Sequence, residues 1–569
     1  MGSTLVGGTK DMYLPSISVH FSNNSLRINI ASSRFKNNTK NKGIFCFIKA
    51  LCGFYGRYKT VKRKIRQKLI ILMFYQYNST VQVAEDMKVT VAVLDKNGEN
   101  VVERILDVLD SFELWVPSHF GLITPKKSLV EKNVEIIKKQ GLKSSTVAGY
   151  LTSKSNSTSD YEHLQLDNSA LLFEGRVYSS VPKTAVMEQV GKNPLHCEAT
   201  LQTLMEQADG DYLFLMLKDG WVAAGRDPIG VQPLYFGENR DIAAFASNKK
   251  ALWKLKIENP VSFPPGNLGF VSKDGFKFKP VKTLSYQEPK SITIDYAAKQ
   301  LQTLLEESIK RRVQGLKEVA VAFSGGLDSS LVAFLASKCG VKVNLLHVSL
   351  ENQAETQEAM KAADELSLPL QINLFKDSDV EKALPKVVEL IEEPYPIKAS
   401  IGVPFYWAAE NAAETGFKVM LAGQGADELF GGYQRYVTEC CKDGSEAARK
   451  TMFNDVVRIH ESNLERDLKI TSFHDVELRV PFGSYEVAEF ALSLPIECKL
   501  EQKPDTLRKL VLRKVAQNTG MPASIADKPK KAVQYSTGIN DAVKRIAKKQ
   551  QKTVTEYINE LFQQSKNNP

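Results

Sequence analysis

The sequence predicts a chain of combined α/β and α+β class, and three observations carry that reading. From about residue 294 onward, helix and strand patterns alternate as they do in a doubly wound parallel sheet. The run Val319-Ala320-Val321-Ala322-Phe323 is continuous and apolar, as a strand buried on both faces should be, and Ser324-Gly325-Gly326-Leu327-Asp328-Ser329-Ser330 leads from it into helical spacing. Between residues 87 and 285, by contrast, the strands are short, with Gly and Asp at the turns.

Residues 1–86 lack sustained periodicity and are rich in Ser, Asn, Lys and Arg, with Lys62-Arg63-Lys64-Ile65-Arg66-Gln67-Lys68 the densest cluster. They read as a basic extension of little structure. Three origins compete: a cleavable organelle-targeting peptide, a disordered arm, or a stretch that precedes a true start at Met87. The last is favoured, because targeting peptides seldom run so long with so many aromatic and aliphatic residues.

From Met87 the pattern is that of a folded domain: a strand over Val89–Leu94, a turn at Asp95-Lys96-Asn97-Gly98 and a helix over Val101–Leu109. Strands follow at Ala170–Phe173, Tyr212–Leu217 and Trp221–Ala224. In the last segment, 286–569, strands are expected at 319–323, 342–349, 369–374 and 418–422. Helices are expected at about 294–312, 329–338, 355–366 and 403–415, with a mainly helical remainder from about 446.

Charge is concentrated at one end. The first 86 residues carry fourteen Lys or Arg against three acids, a surplus of eleven positive charges; with +10 overall, the rest of the chain is one charge below neutral. A balanced body excludes the broad basic face used to bind nucleic acid. Seven cysteines, an odd number without C-x-x-C spacing, fit a reducing, intracellular setting better than a disulfide framework or a zinc site. No apolar run reaches the roughly 18 residues of a membrane span, since Lys49 splits the best stretch. The expectation is a cytoplasmic protein with neither nucleic acid nor membrane as partner, organellar targeting by residues 1–86 remaining open.

The segment Ser324–Ser330 has the makings of a phosphate cradle. Two glycines at a strand-to-helix switch let the backbone approach an anion, while helix-start amides and hydroxyls supply donors. Asp328 is the odd member, because a carboxylate repels phosphate unless a cation lies between them; its presence asks for Mg²⁺.

These seven letters resemble the signature of pyrophosphate-loop ATPases, and three further segments extend the likeness to the synthetase domain of asparagine synthetases. They are Gly423-Gln424-Gly425-Ala426-Asp427-Glu428-Leu429-Phe430-Gly431-Gly432-Tyr433, Glu477-Leu478-Arg479-Val480-Pro481-Phe482, and Ala523-Ser524-Ile525-Ala526 followed by Lys528-Pro529-Lys530-Lys531. In the first half, Gly225-Arg226-Asp227-Pro228-Ile229-Gly230-Val231-Gln232-Pro233-Leu234-Tyr235 and Phe263-Pro264-Pro265-Gly266-Asn267 resemble the glutaminase domain of the same family. The resemblance implies a sandwich of two antiparallel sheets flanked by helices over 87–285, and an ATP-pyrophosphatase domain over 286–569.

It also implies roles. ATP would lie with adenine near Val348, Ala422 and Gly423 and phosphates on Ser324, Gly325, Gly326, Asp328, Ser329 and Ser330. Asp328 and Asp427 would hold Mg²⁺ on the pyrophosphate, neutralising the leaving group. Lys530 falls at the family's catalytic lysine, with Lys528 and Lys531 as neighbours that take the role if the register shifts.

The glutaminase half departs from the pattern at each position that handles glutamine. Lys88 follows Met87 where active relatives carry a nucleophilic cysteine. Trp115-Val116-Pro117-Ser118 stands for an arginine-containing segment, Glu174-Gly175-Arg176 for N-G-E, and His196 for an Asp before Cys197-Glu198. A carboxylate at 174 repels an oxyanion. Cys52-Gly53-Phe54-Tyr55-Gly56 imitates the family's opening motif, but a basic run follows where a strand is needed. In the synthetase half, Gln424 replaces a family Glu and cannot act as a base at neutral pH; Glu428 or water is the alternative.

The function expected is therefore an ATP-dependent amide ligase. It would activate a carboxylate, aspartate first among candidates, as an acyl-adenylate with release of pyrophosphate, then release AMP to ammonia or another amine. The rivals are another ligase on the same scaffold, such as a β-lactam-synthetase-like enzyme, and a non-catalytic regulatory or interaction protein. The oligomeric state is open, a homodimer among the options, as is an external amine donor.

Overall fold

The computed structural model describes residues 17–22, 25–30, 88–112, 118–153, 161–178, 197–501, 503, 507–528 and 537–567. The chain divides into two compact units, Met1–Gln82 and Val83–Pro569. In the first, the strands Ile17–Ser22 and Ser25–Ile30 pair antiparallel, with Ile17 opposite Ile30, Val19 opposite Ile28 and Phe21 opposite Leu26. Two short alternating apolar runs meet in register there, a signal too brief to count as sustained periodicity. Cys52, Lys62 to Lys68 and Met87 lie outside the described residues.

The first half of the second unit is the expected sandwich. Among the described residues, six strands run antiparallel in the order Gly275–Pro280, Asn267–Ser272, Trp221–Arg226, Gly210–Lys218, Ser169–Val177, Tyr161–Leu166. Among the described residues, a seven-stranded antiparallel sheet has Ile242–Ala246, Val89–Asp95 and Thr146–Ser153 at its centre. The period of two explains the layering. Val89, Val91 and Val93 pack under the helix Val102–Asp110, while Ala92 and Leu94 turn to the opposite side and meet Leu172, Leu213, Leu215 and Leu217 of the six-stranded sheet. The outer face of that sheet is covered in turn by Leu201, Leu204 and Met205 of the helix Cys197–Gln207.

In the second half, among the described residues, five strands run parallel in the order Leu370–Phe375, Lys342–Leu350, Glu318–Ala322, Val419–Leu421, Glu477–Arg479. The chain starts in the middle, winds outward on one side, and returns to wind outward on the other. A crevice therefore opens at the carboxyl ends of Glu318–Ala322 and Val419–Leu421, the topological switch point. Helices Ile294–Val313, Leu327–Lys338 and Ala354–Leu366 stand where the pattern predicts them.

Two helices do not. Asp377–Ile391 has no counterpart among the expected elements, and Pro396–Glu414 starts ahead of the expected 403; each encloses a proline, Pro385 and Pro404. Proline ordinarily ends a helical reading, but burial of Val380, Leu384, Val387 and Val388 in the shared core outweighs one lost backbone hydrogen bond.

Candidate active site

The loop after Glu318–Ala322 and the start of helix Leu327–Lys338 form one wall of the crevice. Gly326 caps that helix without a side-chain hydrogen bond, so its first amides lack the usual capping acceptor. Ser324 Oγ accepts from Gly326 N at 3.3 Å and lies 3.2 Å from Ser329 Oγ. Ser330 Oγ is fully buried and has no partner among the described residues. Val348 lies near the end of the neighbouring strand, beyond the last pair of that ladder, Ala322 with Leu346.

The other wall follows Val419–Leu421. A Cβ on Gly423 would come within 2.9 Å of Asp328 Cβ, 3.1 Å of its carbonyl carbon and 3.2 Å of Ser329 N, so only glycine lets the two loops touch. That contact brings together Asp328 and Asp427, which the sequence paired only by resemblance. Both bind one ammonium: Lys509 Nζ lies 2.7 and 2.6 Å from the two carboxylate oxygens of Asp328 and 2.6 Å from Oδ1 of Asp427. The lysine side chain is 2% exposed, and the two aspartates 14% and 19%.

Sequence reasoning missed Lys509. It sits in the basic run Leu507-Arg508-Lys509 just before the helix Leu510–Asn518, with nothing in its neighbourhood to distinguish it from a solvated lysine. Gly432 makes room for it: a Cβ there would fall 1.9 Å from Asp427 Oδ1 and 2.5 Å from Lys509 Cε.

Lys530 and Lys531 lie outside the described residues, but the segment leading to them is well held. Lys528 donates to Gly325 O at 3.0 Å and pairs with Glu358 at 3.1 Å. Arg513 holds the same segment by donating to Ala526 O at 2.6 Å and Lys528 O at 2.9 Å.

Gln424 points away from chemistry of its own. Its amide donates to Asp467 Oδ2 at 2.5 Å, and Asp467 is further bound by Arg466 at 2.7 and 3.0 Å. Burial pushes Asp467 above the usual carboxylate range, against the pull of Arg466. Glu428 is buried and accepts from Tyr433 Oη at 2.6 Å and Asn463 Nδ2 at 2.7 Å. Burial, with the charge of Asp427 beside it, pushes Glu428 up as well.

In the first half, Glu174 and Arg176 are held in structural bonding. Glu174 is buried and accepts from Thr90 Oγ1 at 2.6 Å. Arg176 reaches Glu477 of the synthetase half, which also accepts from Arg479 at 2.7 Å. Nearby, Tyr178 donates to Asp211 at 2.9 Å and Arg312 lies 3.5 Å from the same carboxylate; burial pushes Asp211 up to about 7 although Arg312 opposes it. Trp115 to Pro117 and His196 lie outside the described residues. Asp227 takes four backbone amides, from Ile229, Gly230, Val231 and Gln232 at 2.7–3.1 Å, which fixes the turn from which Arg226 reaches Glu465.

Among the described residues no group of three or more His, Cys, Asp or Glu forms a protein-only metal cage. Two carboxylates completed by substrate phosphates are the arrangement that suits Mg²⁺, and hydroxyls with an uncapped helix start suit the phosphates themselves. The residues present fit both groups.

A parallel sheet with a glycine-serine loop and two carboxylates meeting at its switch point defines an α/β synthetase of the pyrophosphate-loop type, here joined to an antiparallel sandwich. The chain belongs to the asparagine synthetase family, a family of ligases. The family described as asparagine synthase matches residues 300–444 and 442–566. A Methanocaldococcus jannaschii protein named "Putative asparagine synthetase (glutamine-hydrolyzing) 1" is 34% identical over 407 residues, 63% of this chain and 75% of that one. The asparagine synthetase (glutamine-hydrolyzing) of Asparagus officinalis is 28% identical over 59% of each chain. Among solved structures, NMN synthetase from Francisella tularensis aligns at 12% identity and a TM-score of 0.24, over 49% of this chain and 96% of that one, a likeness too slight to bear on function. Among the described residues no helix is long and apolar enough to cross a membrane.

Proposed function

We propose that this protein activates a carboxylate, with aspartate the first candidate, as an acyl-adenylate, releasing pyrophosphate, and then transfers the acyl group to ammonia or another amine with release of AMP. The observation that carries the reading is the convergence of Asp328 and Asp427, from two loops of the switch point, beside Ser324–Ser330. Residues 87–285 act as a glutaminase-like half without glutaminase chemistry, and 286–569 as the synthetase half.

In this reading Ser324, Ser329, Ser330 and the amides after Gly326 hold the phosphates, and Val348, Ala422 and Gly423 border the adenine. Asp328 and Asp427 hold Mg²⁺, which when bound neutralises the departing pyrophosphate. Lys530, two residues after Lys528 in the sequence, stabilises charge that builds on the α-phosphate and at the amide-forming step. Lys88, Glu174 and Arg176 supply neither nucleophile nor oxyanion donor, which favours free ammonia or a delivered amine over glutamine.

The test is ATP–pyrophosphate exchange on the full chain. Exchange stimulated by aspartate is expected, and Asp328→Ala should abolish it. Exchange with a different acid alone would move the protein to another ligase on the scaffold, a reading that the engagement of Gln424 by Asp467 keeps in view. A lack of exchange with every acid tried would end the catalytic reading.

A further inference from the structure

We propose that the Lys509 ammonium is a resident counterion of Asp328 and Asp427, occupying the position that bridges them and excluding a divalent cation until a polyphosphate arrives to receive the ammonium. The proposal rests on the nucleotide reading above and assigns a task to a residue that reading leaves out.

The geometry is that of an occupied cation position. Lys509 Nζ donates to both oxygens of Asp328 at 2.7 and 2.6 Å and forms an ion pair with Asp427 Oδ1 at 2.6 Å, so one cation serves both carboxylates. A Mg²⁺ ion binding both carboxylates needs oxygens at about 2.0–2.1 Å around a common centre, which places it where Nζ now stands. The two cannot share that point.

Displacement without compensation is unfavourable. The Lys509 side chain is 2% exposed, so an ammonium pushed aside by a bare dication stays in a poorly solvated place next to a double positive charge. A polyphosphate changes the balance, since it brings several negative charges and acceptor oxygens for both cations. Lysine is suited to such an exchange: its charge is compact and rides on a flexible four-carbon stem. The stem has room because Gly432 contributes no side chain, while the backbone at Lys509, at φ +60°, anchors the stem at the start of Leu510–Asn518.

The consequence is positive coupling between metal and nucleotide, which by linkage runs in both directions. Metal alone should bind weakly, because in the empty enzyme Lys509 already offsets one of the two carboxylate charges.

The experiment is Mn²⁺ binding to the full chain, by calorimetry and by the loss of the free-ion paramagnetic resonance signal, first without nucleotide and then with α,β-methylene-ATP. Wild type should bind Mn²⁺ weakly alone and well with the analogue. Lys509→Met should tighten binding of Mn²⁺ alone by roughly tenfold or more, and Asp328→Asn added to it should remove the gain. Lys509→Asn, whose side chain tolerates the left-handed backbone, provides a second neutral variant should the methionine fail to fold. Equal Mn²⁺ affinity in wild type and both neutral variants, with the nucleotide-dependent site intact, overturns the counterion proposal alone. Absence of Mn²⁺ binding in every protein, even with the analogue, overturns it together with the nucleotide reading.

Discussion

Arg226 and Glu465 form a buried ion pair that joins the two halves of the second unit: Nη2 of the wholly buried arginine lies 3.2 Å from Oε1 of the glutamate. Ser262 donates to the same oxygen at 2.6 Å and Tyr235 to the other. Burial alone would raise Glu465, but Arg226, His460 and Lys469 more than offset it and hold its pKa down at about 2. Removing one partner leaves an uncompensated buried charge, so Glu465→Ala should lower stability by about 3–5 kcal/mol, read from urea unfolding. A loss below about 1 kcal/mol would mean that this joint carries little of the fold.

Gly432→Ala tests the packing around the paired aspartates. The added methyl would fall 1.9 Å from Asp427 Oδ1, so carboxylate or loop must move. Exchange activity should fall by roughly 100-fold, since misplacement by about 1 Å is enough to cost that much. Circular dichroism should be unchanged, and retained activity would show that Asp427 is not required where it stands.

The proposed function takes its nitrogen from ammonia or a delivered amine, which nitrogen supply tests directly. Incubation with glutamine should release no glutamate above background, whereas ammonium should support product formation with saturation. Glutamate release that is blocked by a thiol reagent would point to an unforeseen cysteine nucleophile.

His474 predicts an acid-sensitive core. It is buried against Tyr406 and Phe473, with ring centroids 4.4 and 5.1 Å away, and neither ring nitrogen has a partner among the described residues. Burial holds its pKa down at about 3. The unfolded chain takes up a proton near pH 6.5 that the folded chain refuses, so the stabilisation is complete above that pH and is lost as pH falls toward 3. At pH 5 the loss from this one group is about 2 kcal/mol. His474→Phe should remove that part of the pH dependence in thermal melts, leaving the contribution of His460, also held down at about 3. Parallel pH profiles for wild type and variant would refute the assignment.

The helix Asp377–Ile391 shows where local reading failed. Its apolar spacing is helical, but Pro385 masks it, and only the core in which Leu384, Val387 and Val388 are buried makes the proline tolerable. The early start of Pro396–Glu414 has the same cause, with Pro404 buried inside it.

What the sequence determined by itself was most of what has a short, uninterrupted period. The apolar run marked a strand over Val89–Leu94, and the switch from an apolar run to helical spacing located Ser324–Ser330. What only the tertiary structure decided was which distant groups meet. Lys509 finds Asp328 across 181 positions, and Arg176 finds Glu477 across 301. Periodicity records the face a residue presents, not the residue it will face; that is settled by how strands order themselves in a sheet and by whether glycines such as Gly423 and Gly432 let their loops close.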